Sequence, residues 1–341
     1  MRSGFPRAPV VALLLLCLSA PGLAEGFDTS REDIQKFVGT MVQRHRFDRD
    51  ELTTLLAAAQ SQPKILEAIQ RPAERTLTWW EYRPRFLTNE RIDGGVQVWR
   101  KHAEELARIS AQSGVPAEYL IAITGVETFY GRITGRYRVL DALATLGFDY
   151  PPRGEFFRRE LEQFLMMARE EKLDPAQPLG SYAGAMGIPQ FMPSSFRRFA
   201  VDGTGDGRRN LWEEGADVFA SVGNYLREHG WRAGQPVLAD ATIDTPVDDP
   251  ASARLNLNET VAALRERGYR FESALPERTR AMLVPAQQQE SMQWRIGFQN
   301  FHAITRYNRS ALYAMAVHDL AQEIATRYRA APVPPVAAAA P

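Results

Sequence analysis

One carboxylate in the sequence has neighbours that suit acid–base chemistry. Glu127 lies near the end of PAEYLIAITGVETFYG (116–131), a segment that predicts a helix opened by proline and closed by glycine. Ile123 comes four residues earlier and shares its helix face. Apolar surroundings disfavour a charged carboxylate and raise its pKa, which favours proton donation near neutral pH. A solvated helix glutamate is the alternative interpretation.

A twelve-residue segment (202–213) has oxygen-bearing groups at the spacing of the ligands in an EF-hand calcium loop. Asp202, Thr204 and Asp206 stand at positions 1, 3 and 5, the Arg208 carbonyl at position 7 and Glu213 at position 12. Only three carboxylates contribute, because threonine replaces a more usual Asp or Asn. Fewer charges weaken binding, so the pattern predicts a weak structural Ca²⁺ site, with a solvated turn as the alternative.

The stretch GSYAGAMGIPQFMPSSF (180–196) contains three glycines and two prolines. These residues interrupt helices and central strands, so the backbone is predicted to follow an irregular course. Loops of this kind often carry functional residues on a rigid scaffold. The composition alone fits an ordinary connector between helices equally well.

The elements that must position these residues are mostly helical. Hydrophobic periodicity and capping residues predict helices at 48–60, 88–114, 116–131, 152–172, 211–229 and 310–329. The pattern changes between 232 and 300. VLADATI (237–243), AMLVPA (281–286) and MQWRIGF (292–298) predict short strands, with a helix at 258–268 capped by Asn258.

The first 24 residues have the features of a cleaved export signal. Arg2 and Arg7 precede an apolar run (10–18), and small residues at 22 and 24 suit cleavage before Glu25. The run is too short to span a bilayer. The single cysteine, Cys17, follows Leu16 rather than a small residue, which argues against a lipoprotein anchor. The mature chain therefore has no thiol.

Composition limits the classes of partner. The chain has 341 residues, with 41 Lys and Arg against 41 Asp and Glu. This balance lacks the basic field that nucleic-acid binding needs, so no nucleic acid is predicted as a partner. The five histidines are scattered and lack ligand spacing, and no phosphate-binding loop occurs. No organic cofactor is predicted.

Several motifs occur together in one order. They are GVETFYG (125–131), RVLDALATL (138–146), FDYPPRGEFF (148–157), the 180–196 stretch and the loop that begins at Asp202. In this order and spacing the chain resembles the family B lytic transglycosylases, bacterial enzymes that cut the glycan strands of cell-wall peptidoglycan. The resemblance extends over about 79–231, with a shorter patch at RYNRSALY (306–313).

The resemblance implies roles for individual residues. Glu127 matches the single catalytic acid of the family. Arg153 can still meet a substrate carboxylate, although Pro152 stands where relatives often have another arginine. The other predicted substrate contacts are Tyr82, Ser181, Gln190, Phe191, Met192, Tyr307, Asn308 and Tyr313.

The resemblance also implies a mainly α fold with a lysozyme-like core. The predicted domains are a signal peptide (1–24), a helical domain (25–114), the catalytic core (115–231) with its EF-hand loop (202–213), a small β-containing domain (232–300), a C-terminal helical return (301–330) and a disordered tail (331–341).

The predicted function is cleavage of the β-1,4 bond between N-acetylmuramic acid (MurNAc) and N-acetylglucosamine (GlcNAc) in the periplasm, leaving 1,6-anhydro-MurNAc ends, with Glu127 acting as acid and then base. Peptidoglycan glycan strands are the predicted partner, and cell-wall synthesis or divisome proteins are further candidates. A hydrolytic lysozyme using Asp141 or Asp149 as a second carboxylate is one alternative. A non-catalytic, calcium-stabilised wall-binding protein is another.

Overall fold

The computed structural model describes residues 26–70, 77–243 and 255–330. The predicted signal peptide and the predicted disordered tail lie outside these residues. The described residues form mainly helices with a small β-sheet region, as the sequence predicts. The helices are α1 (Glu32–His45), α2 (Arg49–Ala58), α3 (Pro63–Gln70), α4 (Trp79–Tyr82), α5 (Asn89–Lys101), α6 (Ala103–Ser113), α7 (Ala117–Thr128), α8 (Val139–Phe148), α9 (Gly154–Glu170), α10 (Pro193–Phe199), α11 (Ala216–Glu228), α12 (Val261–Glu266), α13 (Gln299–Tyr307) and α14 (Ala311–Ala330).

The strands form two antiparallel sheets. The strands are β1 (Tyr137–Arg138), β2 (Leu179–Gly180), β3 (Leu238–Ile243), β4 (Glu259–Thr260), β5 (Tyr269–Arg270), β6 (Arg280–Gln287) and β7 (Met292–Gly297). A short ribbon joins β1 to β2, and the other strands lie in the order β4-β6-β7-β3-β5. Ile296 of the central strand has Leu283 and Ala239 as its neighbours on either side. The longest three strands occupy the segments where the sequence predicts them.

Helix α7 lies at the centre of the main hydrophobic core. Residues 120–126 are all buried, and the helix packs against α5, α11 and α14. A helix that is apolar on every side must be enclosed by other elements. A second apolar cluster, which includes Tyr269 and Trp294, lies in the β-sheet region. No helix in the described ranges is long and apolar enough to cross a bilayer.

Two predicted helices have different bounds in the structure, at positions where side chains bond to residues far away in the sequence. The helix predicted at 88–114 is divided at His102, whose ring bonds Glu105 and Glu214 at 2.9 Å each. The helix predicted from 211 begins only at Ala216. In the first case the interruption gives the imidazole two carboxylate partners. In the second the carboxylate of Asp217 binds backbone amides of the preceding loop.

Two other boundaries are corrected by local geometry. The predicted cap Asn258 is wrong, because Thr260 accepts the hydrogen bond from the Ala263 amide at the start of α12. Helix α7 ends at Thr128 rather than near Gly131, because the next two residues have positive φ angles. The helices predicted at 48–60 and 88–114 begin with side-chain caps, Asp48 on α2 and Thr88, rather than Asn89, on α5.

Candidate active site

Glu127 is fixed by the way α7 ends. Phe129 and Tyr130 adopt left-handed conformations with φ of 51° and 59°, which turn the chain sharply after the helix. The Tyr130 ring packs back over Gly125, where an added Cβ would lie 2.7 Å from the phenol oxygen. The Thr128 hydroxyl donates to the Ile188 carbonyl at 2.9 Å. The end of α7 is therefore tied directly to the 180–196 loop.

Glu127 is only partly exposed, and among the described residues its carboxyl group has one direct side-chain partner. The Tyr313 hydroxyl on α14 donates to Glu127 Oε1 at 2.6 Å. Burial raises the pKa of Glu127 to about 7, and the hydrogen bond from Tyr313 opposes that rise. A carboxyl group with a pKa near 7 can give up and take back a proton at neutral pH.

Aromatic hydroxyls surround this carboxyl group. Tyr307 stacks on Tyr313 with ring centroids 6.4 Å apart, and its hydroxyl donates to the Pro189 carbonyl at 2.6 Å. Burial raises the pKa values of Tyr82, Tyr307 and Tyr313, and the nearby Glu127 charge raises them further. These tyrosines therefore remain protonated donors when the carboxyl group ionises.

Tyr225 on α11 belongs to the same aromatic cluster, although the sequence does not single it out. Its ring lies 4.7 Å from that of Tyr307 and stacks on His229 at 4.0 Å. Its hydroxyl donates to the Arg306 carbonyl at 2.6 Å. The predicted helix shows only an ordinary buried aromatic residue at this position, because its partners come from elements far away in the sequence.

The 180–196 loop is irregular, as predicted, and its polar side chains hold it in shape. Ser181 Oγ accepts hydrogen bonds from the amides of Ala183 and Ala185 at 3.2 and 3.0 Å. Gln190, at φ 50°, donates through Nε2 to the carbonyls of Thr134 and Gly187 at 3.1 and 2.9 Å. Ser181 and Gln190 line a cleft of about 550 Å³ beside the ribbon β1–β2.

The remaining predicted contacts occupy different positions. Met192 is partly buried, whereas the Phe191 side chain is only 2 % exposed and packs behind Tyr307 at 5.8 Å. Phe191 therefore supports the tyrosine wall from the interior. Asn308 is exposed at the end of α13. Arg153 is exposed and lies over the Phe156 ring at 4.6 Å.

Both candidates for a second catalytic carboxylate have structural partners. Asp141 is buried, pairs with Arg138 at 2.8 Å and accepts the Gln60 amide at 2.9 Å. Asp149 pairs with Arg31 at 2.7 Å and accepts the Ser61 hydroxyl at 2.6 Å. Each carboxylate therefore joins the 26–70 segment to the 138–149 region.

The EF-hand-type loop is organised around the carboxylate of Asp202. This carboxylate accepts amide hydrogen bonds from Gly205, Asp206 and Gly207 at 2.6–3.2 Å, which lower its pKa. The oxygen-only donor set and the two left-handed glycines fit a calcium loop. In the described ranges, however, no three His, Cys, Asp or Glu side chains are gathered to hold a metal ion. Glu213 is exposed and stands apart.

Asp217, which the sequence does not predict as a functional residue, orders the same loop. It is 5 % exposed and accepts amide hydrogen bonds from Gly203, Thr204 and Asn210 at 2.7–3.1 Å. This carboxylate lies four residues beyond the twelve-residue pattern. The EF-hand spacing therefore gives no signal for it.

Comparisons with known proteins agree with the motif order. Residues 29–322 match the family described as Transglycosylase SLT domain. The chain is 40 % identical over 301 residues to the membrane-bound lytic murein transglycosylase B of Escherichia coli (strain K12), covering 85 % of this chain and 82 % of that protein.

Solved structures give the same relationship. Lytic transglycosylase SltB1 from Pseudomonas aeruginosa is 47 % identical, with a TM-score of 0.85 over 87 % of this chain and 98 % of that one. Escherichia coli lytic transglycosylase Slt35, in complex with calcium, is 39 % identical, with a TM-score of 0.83 over 90 % and 97 %. The predicted family and the lysozyme-like, mainly helical fold class are confirmed.

Proposed function

Because this chain belongs to the transglycosylase SLT domain family and is a peptidoglycan lytic transglycosylase, we propose that it cleaves the MurNAc–GlcNAc β-1,4 bond with Glu127 as the single acid and base. The observation that carries the proposal is the Glu127 carboxyl group itself. It is partly buried at the end of α7, it has a pKa of about 7, and a tyrosine holds one of its oxygens at 2.6 Å.

The proposed reaction uses the same carboxyl group twice. Protonated Glu127 donates its proton to the glycosidic oxygen as the bond from that oxygen to C1 of MurNAc breaks. The acetamido group of the substrate stabilises the positive charge that develops on the sugar. The Glu127 carboxylate then removes the proton from the C6 hydroxyl, whose oxygen bonds to C1 and closes the 1,6-anhydro ring. The proton on Glu127 is restored, and no water is consumed.

The surroundings of Glu127 support ring closure over hydrolysis. A well-oriented hydroxyl of the same sugar reacts at an effective concentration on the order of 10⁵ M or more, far above that of water. Hydrolysis through a second carboxylate would require Asp141 or Asp149, and both are committed to arginine and hydrogen-bond partners. The tyrosine hydroxyls near Glu127 remain protonated, so none of them acts as a further base at neutral pH.

We assign the sugar contacts to residues around this carboxyl group. Tyr82 and Tyr307 offer ring faces for the apolar C–H surface of a sugar, and Met192 offers a flexible apolar contact. Ser181 and Gln190 are fixed by the loop and line its cleft. Tyr313 positions Glu127. Arg153 and Asn308 are exposed, and we assign them to more distant parts of the substrate.

We also propose that the 202–213 loop binds Ca²⁺ as a structural ion through Asp202, Thr204, Asp206, the Arg208 carbonyl and Glu213. The support is the oxygen donor set, the preordered Asp202 carboxylate and the calcium complex of the 39 % identical Slt35. For the location we propose the periplasm, which the export-signal pattern and the relative from the cell envelope both favour.

The mass of the products tests the proposed reaction. Purified cell wall digested by the enzyme is expected to yield mostly 1,6-anhydro-MurNAc ends, each one water lighter than a hydrolytic end and without a reducing terminus. Glu127→Gln should reduce cleavage by about 10²–10⁴-fold while the chain remains folded, because the amide cannot donate the proton. A majority of reducible MurNAc ends would refute the proposed ring closure and show that the enzyme hydrolyses the bond.

A further inference from the structure

A second cleft, of about 600 Å³, lies beside the EF-hand-type loop. We call it the Trp212 cleft, and the lining residues that define it are Thr134, Lys172, Leu173, Leu179, Arg208 and Trp212. We propose that the Trp212 cleft binds the acidic peptide carried by the MurNAc sugar while the glycan occupies the site around Glu127. This inference rests on the proposed function and adds a peptide-binding site to it.

The Trp212 cleft adjoins the cleft that holds Ser181 and Gln190. Thr134 lines both of them, and its carbonyl accepts the hydrogen bond from Gln190 Nε2 at 3.1 Å. Leu179 lies in the ribbon β1–β2 between the two clefts, and its carbonyl accepts the Trp212 indole N–H at 3.2 Å. A substituent that leaves a sugar at Gln190 can therefore enter the Trp212 cleft past Thr134.

The lining of the Trp212 cleft combines apolar surface with positive charge. Leu173 and Leu179 are 38 % and 45 % exposed. Lys172 and Arg208 are exposed, and neither side chain has a hydrogen bond or ion pair among the described residues. Isolated exposed leucines need no explanation, but two of them beside unpaired cations indicate a ligand with apolar and anionic groups.

The acidic residues of the same lining are already neutralised or bonded. Glu171 forms an ion pair with Arg209. Asp174 accepts hydrogen bonds from the Ala176 amide and from the side chain of Gln177, at 2.9 and 3.2 Å. Three basic residues, Lys172, Arg208 and Arg209, against Glu171 and Asp174 leave the lining of the Trp212 cleft with a net positive charge, so the cleft attracts anions.

The chemistry of peptidoglycan identifies the ligand. The sugar rings are uncharged and mostly polar, so glycan alone would leave both the cations and the leucines without partners. The peptide on MurNAc carries several free carboxylates and small methyl side chains, and it is attached to the same sugar whose bond at C1 Glu127 would cleave. Lys172 and Arg208 are suited to its carboxylates, and the leucines and Trp212 to its methyl groups.

The test measures binding in the Glu127→Gln background, so that the ligand stays intact. Calorimetry compares a GlcNAc–MurNAc disaccharide that carries its peptide with the same disaccharide after an amidase has removed the peptide. The peptide-bearing ligand should bind more tightly. Lys172→Ala should weaken binding of the peptide-bearing disaccharide about 2- to 5-fold, and Lys172→Glu should weaken it roughly 10-fold. Binding of the disaccharide without its peptide should not change in either variant.

Lys36 on α1 is exposed and lies outside the Trp212 cleft, so Lys36→Ala and Lys36→Glu are the matched controls and should leave both affinities unchanged. Equal affinity of the parent for the two ligands would overturn the proposal. A Lys172 variant that weakens both ligands equally, or neither, would also overturn it. The proposed reaction and the peptide-binding proposal are refuted by different results. Reducible ends in the product-mass experiment would refute the reaction but would leave the difference in binding between the two ligands intact.

Discussion

Replacing Tyr313 with phenylalanine isolates the hydrogen bond that its hydroxyl donates to Glu127, the proposed catalytic residue. The tyrosine hydroxyl donates to Glu127 Oε1 at 2.6 Å and stabilises the carboxylate, which lowers the pKa of Glu127 against the larger rise caused by burial. Phenylalanine keeps the buried ring and its stacking on Tyr307 but removes the donor. The pKa of Glu127 should therefore rise above its value of about 7.

The size of the change follows from the strength of a hydrogen bond to a charged group, about 1.5–3 kcal/mol. One pKa unit corresponds to about 1.4 kcal/mol, so the Glu127 pKa should rise by about 1–2. In the proposed mechanism bond cleavage needs protonated Glu127, and the alkaline limb of kcat/KM then reports this ionisation in the free enzyme. That limb should lie near pH 7 in the wild type and near pH 8–9 in Tyr313→Phe.

The assay is the pH dependence of kcat/KM for soluble glycan fragments. Tyr225→Phe is the matched control, because its hydroxyl donates to the Arg306 carbonyl rather than to Glu127, and its alkaline limb should stay where it is. The plateau rate of Tyr313→Phe on the acid side of this limb should fall, because a carboxyl group with a higher pKa is a weaker acid and donates its proton less readily. An unchanged or acid-shifted limb in Tyr313→Phe would refute the conclusion that the Tyr313 hydroxyl lowers the Glu127 pKa.

Two further predictions concern stability. Because the folded pKa of Glu127 (about 7) exceeds its ordinary value of 4.5, its charge costs stability as pH rises from 4.5 to 7. Glu127→Gln should therefore be more stable than wild type above pH 7, by about 3 kcal/mol or roughly 5–10 °C in Tm, and equally stable at pH 4. The exposed control Glu104→Gln should show no such dependence on pH. A stability difference between Glu127→Gln and wild type that does not change with pH would contradict this prediction. Calcium at about a hundredfold excess over its Kd should add roughly 2.7 kcal/mol, seen as a rise in Tm. The Glu213 side chain has no hydrogen bond among the described residues, so Glu213→Gln should reduce the calcium-induced rise in Tm without lowering the metal-free Tm. Identical melting curves with calcium and with chelator would show that the 202–213 loop is a turn that binds no calcium.

Features that depend on neighbouring residues could be predicted from the sequence. Asp48 and Thr88 cap their helices because the bonded amides lie two or three residues away. The glycines and prolines of the 180–196 stretch exclude regular structure without any tertiary contact. Glu127 was found through its motif, and its apolar neighbours correctly indicated a raised pKa.

Features that depend on distant residues could not be predicted. The break at His102 requires Glu214, which is 112 positions away, and the late start of α11 follows from Asp217 binding amides of an earlier loop. Tyr313 and Glu127 are 186 positions apart, so only the resemblance, and no spacing, associated them. Tyr225 was missed for the same physical reason.

Helix α14 shows how a region outside the active site can determine its geometry. The helix carries Tyr313 and, six residues later, Asp319, which pairs with Arg295 of strand β7 at 2.7 Å. Both partners of this ion pair are nearly buried, and removing one partner of a buried pair typically costs about 3–5 kcal/mol. The β-sheet region therefore holds α14 less than two helical turns from Tyr313, whose hydroxyl contacts the Glu127 carboxyl group. Under the proposed mechanism, this region acts on catalysis by placing the Tyr313 hydroxyl 2.6 Å from Glu127 Oε1.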